Sequence, residues 1–292
     1  MTQPLILVPL DGSAHALAAL PVAEALGEAL GASLRFLRVT SEAQPPPTAL
    51  ARSLGLEGGA HHGRSFEART GDPSEGILET AIETEARLIV MCTHTASIRP
   101  VAMLGQTALA VLRRAPCPVV LVSPAQDLQG WRPRRILLPH DGGRAADIAI
   151  APAAWIARAA GAELSIVEVS APGAASPDEP GAFATPRYVD QAQHEWSSWT
   201  EEVLARFALL CPDGALKARL QVLGGDPGRE IVKVAADQSI DLIVVAWQGA
   251  WSAERARTLK AIVRAAPCPV MVVRAGPECV TRPGEGGRSG SG

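Results

Sequence analysis

The sequence predicts an α/β chain: two copies of one doubly wound domain, each a five-stranded parallel sheet with helices on both faces. Three observations predict it. First, Ala115-Pro116-Cys117-Pro118-Val119 returns as Ala266-Pro267-Cys268-Pro269-Val270, each time after an Arg-bearing apolar segment and before a β-branched run. Second, three upstream landmarks recur in the same order: Ile6 to Gly12 with Ile136 to Gly142, Gly71-Asp72-Pro73 with Gly225-Asp226-Pro227, and Leu88 to Met91 with Leu242 to Val245. A repeat in fixed order is a property of the whole fold. Third, short apolar runs alternate with helical segments, and right-handed crossovers turn that alternation into a parallel sheet.

Leu5 to Pro9 is a continuous apolar run, the pattern of a strand buried on both faces. Asp11-Gly12-Ser13 is a turn. Ala16 to Leu30 is an Ala/Leu-rich helix that Pro21 must kink or shorten and Gly31 ends. Leu34 to Val39 is the second strand. Ser41 to Gly63 is rich in Pro and Gly and reads as a loop around a short helix near Ala49 to Leu54. Phe66 to Thr70 is the third strand. Asp72 caps the next helix, Ser74 to Thr84, with Pro73 at its first position. Leu88 to Met91 is the fourth strand. A loop from Cys92 to Gly105 leads to a helix, Gln106 to Arg114, and a fifth strand, Val119 to Val122. The second half repeats this order with a longer insertion between its second and third strands. A helix is expected in that insertion around Val189 to Leu210, with Trp196, Trp199, Val203 and Phe207 on one face. The division is a first domain over residues 1–125, a linker over 126–134 and a second domain over 135–275 that carries the insertion 171–214. A disordered tail over 276–292 follows.

The totals limit the function. The chain has 292 residues, 47% of them hydrophobic, with a net charge of −3 from 27 basic and 30 acidic side chains. That balance leaves no basic footprint for nucleic acid or an anionic membrane. No apolar run is long enough to span a bilayer. Met1-Thr2-Gln3-Pro4 has no basic region, so no signal peptide is expected and the location expected is cytoplasmic. Five cysteines are an odd, sparse set in so long a chain and do not make a disulfide framework.

Taken together, Val8-Pro9-Leu10-Asp11-Gly12-Ser13, the Gly-Asp-Pro turns, the Leu88 to Met91 strand and the Ala-Pro-Cys-Pro-Val segments resemble the universal stress protein family. The resemblance covers both halves except the linker, the insertion and the tail. It implies an adenine nucleotide alpha hydrolase-like fold, in agreement with the elements above. It also implies an intrachain pseudo-dimer in which the last strands, Val119 to Val122 and Val270 to Val273, pair and close two otherwise open edges. A further homodimer is compatible with it.

Many members of the family bind ATP, and the resemblance can be followed residue by residue. The family's phosphate motif is a glycine, two residues, a glycine, nine residues, then Gly-Ser or Gly-Thr. Glycines let backbone N–H groups approach phosphate, and a helix start favours its charge. In the first half Cys92 and Thr95 stand in place of the two glycines. Gly105 is kept, Gln106 replaces the hydroxyl residue, and Thr107 follows one position later. In the second half Ala246 replaces the first glycine, Gly249 keeps the second, the loop is about three residues shorter, and Ala256-Arg257 replaces the final pair. Arg255 or Arg257 remains as a charge for a phosphate. The adenosine side is better kept: Asp11 and Asp141 match the aspartate after the first strand, and Val39 and Val169 the second-strand position near adenine. The implied nucleotide residues are therefore Asp11, Gly12, Ser13, Val39, Gly105, Gln106 and Thr107 in the first half, and Asp141, Val169 and Gly249 in the second.

Each of these has a plainer reading. Asp11 and Asp141 can close a strand–helix turn without any ligand. Gly105 and Gly249 can be ordinary loop glycines. Cys117 and Cys268, flanked by prolines, read as small buried residues rather than redox centres. Cys92 with His94, and His61-His62, make no four-ligand zinc pattern, so no metal site is expected. No Walker A motif or nucleophile elbow is present, and no catalytic residue is assigned. The expectation is a non-catalytic stress-response protein with a degenerate adenine-nucleotide site. ATP, with magnesium, binds the first domain weakly or not at all, and the second domain is mainly structural. The rivals are an ATP-binding sensor with slow hydrolysis and a nucleotide-free interaction module.

Overall fold

The computed structural model describes residues 3–40, 51–52, 63–93, 104–170, 205–206, 218–249, 251 and 256–275. In the first half the strands are β1 (Leu5–Pro9), β2 (Ser33–Thr40), β3 (Arg64–Thr70), β4 (Leu88–Cys92) and β5 (Val119–Val122). The helices are α1 (Leu20–Leu30), α2 (Pro73–Glu83) and α3 (Gln106–Arg114). The second half repeats them as β6 (Arg135–Pro139), α4 (Ile150–Ala160), β7 (Glu163–Ser170), β8 (Ala218–Gly224), α5 (Pro227–Asp237), β9 (Leu242–Trp247), α6 (Arg257–Ala265) and β10 (Val270–Arg274). Of the short helix expected near Ala49 to Leu54, Ala51 and Arg52 are described and helical. Of the insertion helix only residues 205–206 are described, and they are helical. Its Trp196, Trp199, Val203 and Phe207 lie outside the described residues, as does the tail.

Pro21 shortens the first helix. Ala16–Ala19 form a 3-10 helix, and the α-helix starts at Leu20 with Pro21 in its first turn. There the missing N–H has no helical acceptor to lose. Gly31 ends α1 in the left-handed conformation, φ 59°. Asp72 caps α2 as expected, accepting from the N–H groups of Ser74 and Glu75. Its carboxyl is held below the usual range, first by the Ser74 hydroxyl.

All ten described strands form one sheet in the order β3-β2-β1-β4-β5-β10-β9-β6-β7-β8. Within each half the pairs are parallel, and β5 meets β10 antiparallel with Val120 opposite Met271. The expected pairing of the two last strands is therefore present, and it makes the chain an intrachain pseudo-dimer. Each strand alternates its side chains between two cores. Ile6, Val8, Val120, Ile136 and Met271 face the layer that holds α1 and α4. Leu7, Ile89, Leu121, Leu137 and Val270 face the layer of α2, α3, α5 and α6. Both cores run through both halves. Residues between β5 and β6 are part of this packing: Leu128 and Trp131 are buried. The Trp131 indole N–H donates to Asp241 O at 3.0 Å, and the Gln126 amide donates to Ala266 O at 3.1 Å.

Candidate functional sites at the two switch points

In each half the strand order reverses between the first and fourth strands, and a crevice opens beyond their carboxyl ends. The first crevice is a cavity of about 580 Å³ whose wall includes Asp11, Val39, Cys92, Gly105, Gln106 and Thr107. Gly12 and Ser13 are not among its lining residues; they build the turn beside it. Gly12 takes φ +86°, which only glycine adopts readily. Asp11 Oδ1 accepts from Ser13 N–H at 2.9 Å, and Ser13 Oγ accepts from Ala16 N–H at 3.2 Å. Asp11 thus closes its turn and also contributes to the cavity wall.

The end of this cavity where the family resemblance expects phosphate is built differently from a glycine loop. Cys92 is the last residue of β4, 7% exposed, and its side chain occupies space that a glycine would leave open. Gly105 is the N-cap of α3 at φ −62°, an angle any residue adopts. Its N–H donates to Thr93 O at 2.8 Å. Thr95 lies outside the described residues.

The second crevice, about 500 Å³, is lined by His140, Asp141, Val169, Trp247, Thr258 and Leu259, among others. Gly249, at φ +85°, is not among its lining residues. Neither is Arg257, the exposed first residue of α6, and Arg255 lies outside the described residues. Asp141 repeats the turn closure, accepting from Gly143 N–H at 2.9 Å. The sheet register aligns the halves: Ile6 pairs with Leu88 as Ile136 pairs with Leu242. Counting on from there, Trp247 takes the place of Thr93 and Ala246 that of Cys92. Helices α3 and α6 start at Gln106 and Arg257, so Leu259 takes the place of Ala108.

His140 takes the place of Leu10 and was not singled out from the sequence. It is 3% exposed, yet both ring nitrogens are engaged. Gly142 N–H donates to Nδ1 at 3.0 Å, so the proton sits on Nε2, which faces Asp147 Oδ1 at 3.1 Å. Arg206 completes the group, donating to Gly142 O at 2.9 Å and reaching Asp147 Oδ1 at 3.4 Å. Burial pushes the His140 pKa below its usual 6.5, and the Asp147 contact opposes that only in part. The signal in the sequence was one polar residue where the other half has leucine, Pro139-His140-Asp141 against Pro9-Leu10-Asp11. Among the described residues no three His, Cys, Asp or Glu side chains gather as a metal site. Cys92, Cys117 and Cys268 are buried and form no disulfide with one another. Burial, with the Asp241 charge adding to it, pushes the Cys268 thiol up to about 12. No helix among the described residues is long and apolar enough to cross a membrane.

A continuous sheet of two doubly wound repeats, each with a crevice at its switch point, defines a tandem α/β protein. A model of the universal stress protein family matches residues 5–123 and 133–274, and the chain belongs to that family. A relative from Thermus aquaticus, described as a universal stress protein in a sulfhydrylase 3' region, is 35% identical over 135 residues, 40% of this chain and 96% of its own. The crystal structure of a universal stress protein from Archaeoglobus fulgidus matches 94% of this chain and 100% of its own at TM-score 0.64 and 18% identity. A protein of unknown function from Pseudomonas aeruginosa matches 94% and 93% at TM-score 0.61 and 19% identity. The two structures share the tandem fold.

Proposed function

We propose that this universal stress protein is non-catalytic and that its first cavity is a degenerate adenine-nucleotide site, binding ATP weakly or not at all. One observation carries the reading: the two ends of the cavity are unequally equipped. Asp11 and Val39 stand in the wall on the adenosine side. On the phosphate side a cysteine side chain replaces the glycine, and the Gly105 N–H is already donated to Thr93 O. A phosphate there would meet fewer free donors than a glycine loop offers. The residues that remain suit the ligand only in part. Asp11 would accept from sugar hydroxyls or help hold magnesium, and the first-turn N–H groups of α3 would face a phosphate.

The test is the nucleotide content of the purified chain, followed by titration with ATP and magnesium. The expected result is little copurified nucleotide and a Kd no tighter than the high-micromolar range. Stoichiometric ATP or ADP in the purified protein would overturn the reading. It would favour the second one, an ATP-binding sensor with slow hydrolysis, for which Gly105 at the N-cap of α3 and Thr107 in the cavity wall speak.

A further inference from the structure

We propose that the helix layer of α2, α3, α5 and α6 is an interface for a second copy of this chain. In it the acidic α2 of each copy docks on the basic α5 of the other. This is independent of what either cavity binds.

The two repeats are charge-reversed at matching exposed positions. Helices α2 and α5 both begin at the proline of a Gly-Asp-Pro turn, so Glu75 corresponds to Arg229 and Glu79 to Lys233. All four residues are exposed. Helices α3 and α6 differ in the same sense, with Gln106 corresponding to Arg257. Packing does not require the reversal, because the buried faces agree: Ile77 matches Ile231, and Ala81 matches Ala235.

Neither patch is neutralised within the chain. In the first half Asp72, Glu67, Glu75, Glu79 and Glu83 share three guanidinium groups, those of Arg35, Arg69 and Arg114. Glu79 has the poorest share, 3.7 Å from Arg69 with its side chain 63% exposed. The counterparts of those three arginines are Ser165, Leu223 and Ala265, all neutral. The cations of the second half stand on the helices instead. Among the described residues neither Arg229 nor Lys233 has an ion-pair partner. The carboxylates of α5 sit at its ends, Asp226 and Glu230 at the start and Asp237 at the finish. Arg229 also lies in the first turn of α5, where the helix dipole disfavours a cation. A residue that weakens its own helix and has no partner in the chain is expected to serve a contact outside it.

The layout allows one closed pairing. Strands β5 and β10 are antiparallel neighbours, and all four helices pack on one side of the sheet. The axis relating the halves is therefore perpendicular to the sheet. Helices α2 and α5 lie equally far from it and run in opposite directions. Turning a second copy about an axis in the plane of the layer, parallel to β5, sets its α2 over α5 and its α5 over α2. The contact then occurs twice and the pair is closed. The other flip, about an axis across the strands, sets α2 on α2 and α5 on α5, like charge on like. Ile82 shares the exposed face of α2 with Glu75 and Glu79, at i+7 and i+3 spacing. At 62% exposure it gives the acidic patch an apolar centre. Its counterpart on α5 is the small, exposed Ala236.

Sedimentation velocity of the full chain tests this. The expected result at low salt is a species of twice the chain mass. Its dissociation constant should weaken by about tenfold or more as NaCl rises from about 50 to about 500 mM. Glu79→Lys and Lys233→Glu, both at exposed positions, should each give a monomer at low salt with unchanged circular dichroism. An equimolar mixture of the two variants should recover the dimer, because each reversed charge then meets its opposite. The double variant should recover it too, and a general effect of net charge would rescue neither. A chain that stays monomeric at low salt would overturn the proposal and leave the two patches to partners of another kind. So would a dimer indifferent to salt and to both reversals, or an open polymer in place of a closed pair.

Discussion

His140 shows how much one substitution between the repeats can carry. Its ring is neutral in the fold, whereas in the unfolded chain it titrates near 6.5. Asp147, Asp141 and Arg206 are the charged groups facing it, and burial outweighs the two carboxylates. Because the folded pKa is the lower one, the unfolded state binds more protons as pH falls through the unfolded pKa. This contribution to stability is therefore complete above about pH 6.5 and is lost progressively below it. His140→Leu, which installs the residue of the first half, should flatten that part of the curve. It should also lower stability near neutral pH by about 1–2 kcal/mol, since Gly142 N–H loses its acceptor. Urea midpoints of both proteins between about pH 5 and 8 check both effects; a parallel pair of curves would assign the acid sensitivity to another group. Cys92 carries the matching experiment in the first cavity. Cys92→Gly removes the side chain from the phosphate end, and ATP affinity should rise by about tenfold, equivalent to ~1.4 kcal/mol. Titration with ATP and magnesium reads it, and an unchanged Kd would place the weakness outside the Cys92 position.

At the scale of elements, the repeat was legible because it was written in residue types with one structural use each. Asp72-Pro73 and Asp226-Pro227 both start helices by the same cap, and Gly31 and Gly161 both end them in the left-handed region. Strand and helix boundaries at Gln106–Arg114 and Val119–Val122 could be read directly from the sequence. The walls of the cavities were legible only where they followed the family motif. Trp247 escaped because its role depends on register between distant strands, which no local pattern encodes; His140 was visible as the polar residue where the first half has leucine, but its bonds to Gly142 and Asp147 are seen only in the fold. Close helix packing was equally hidden. Gly228 in α5 lies so near α6 that an added Cβ would come within 2.5 Å of the Ala261 Cβ. Gly228→Ala should therefore separate the two helices and cost about 1–3 kcal/mol by overpacking, despite alanine's better helix propensity. Chemical denaturation measures it, and a stabilised variant would mean that α6 is free to shift.

At the scale of the molecule, the β5–β10 junction decides whether two repeats behave as two domains. Each core cluster draws on both halves: Leu7 and Ile243 lie in one, Val8 and Val244 in the other. The antiparallel pair also removes the edge that each five-stranded sheet would otherwise leave open. Losing one half would expose that edge and an apolar face together, so the halves should unfold as one cooperative unit. The positions of the tryptophans allow a direct test. All six lie at or beyond Trp131, so their emission is weighted to the second half, with Trp155 also lying against Arg87 of the first. Leu7 is fully buried in β1, and Leu7→Ala should cost about 2–5 kcal/mol. If the sheet is one cooperative body, this lesion in the first half lowers the denaturation midpoint seen by tryptophan emission as much as the midpoint seen by circular dichroism. A tryptophan midpoint that stayed at the wild-type value would show the second half outlasting the first, and the shared cores would then be a contact between two independent domains.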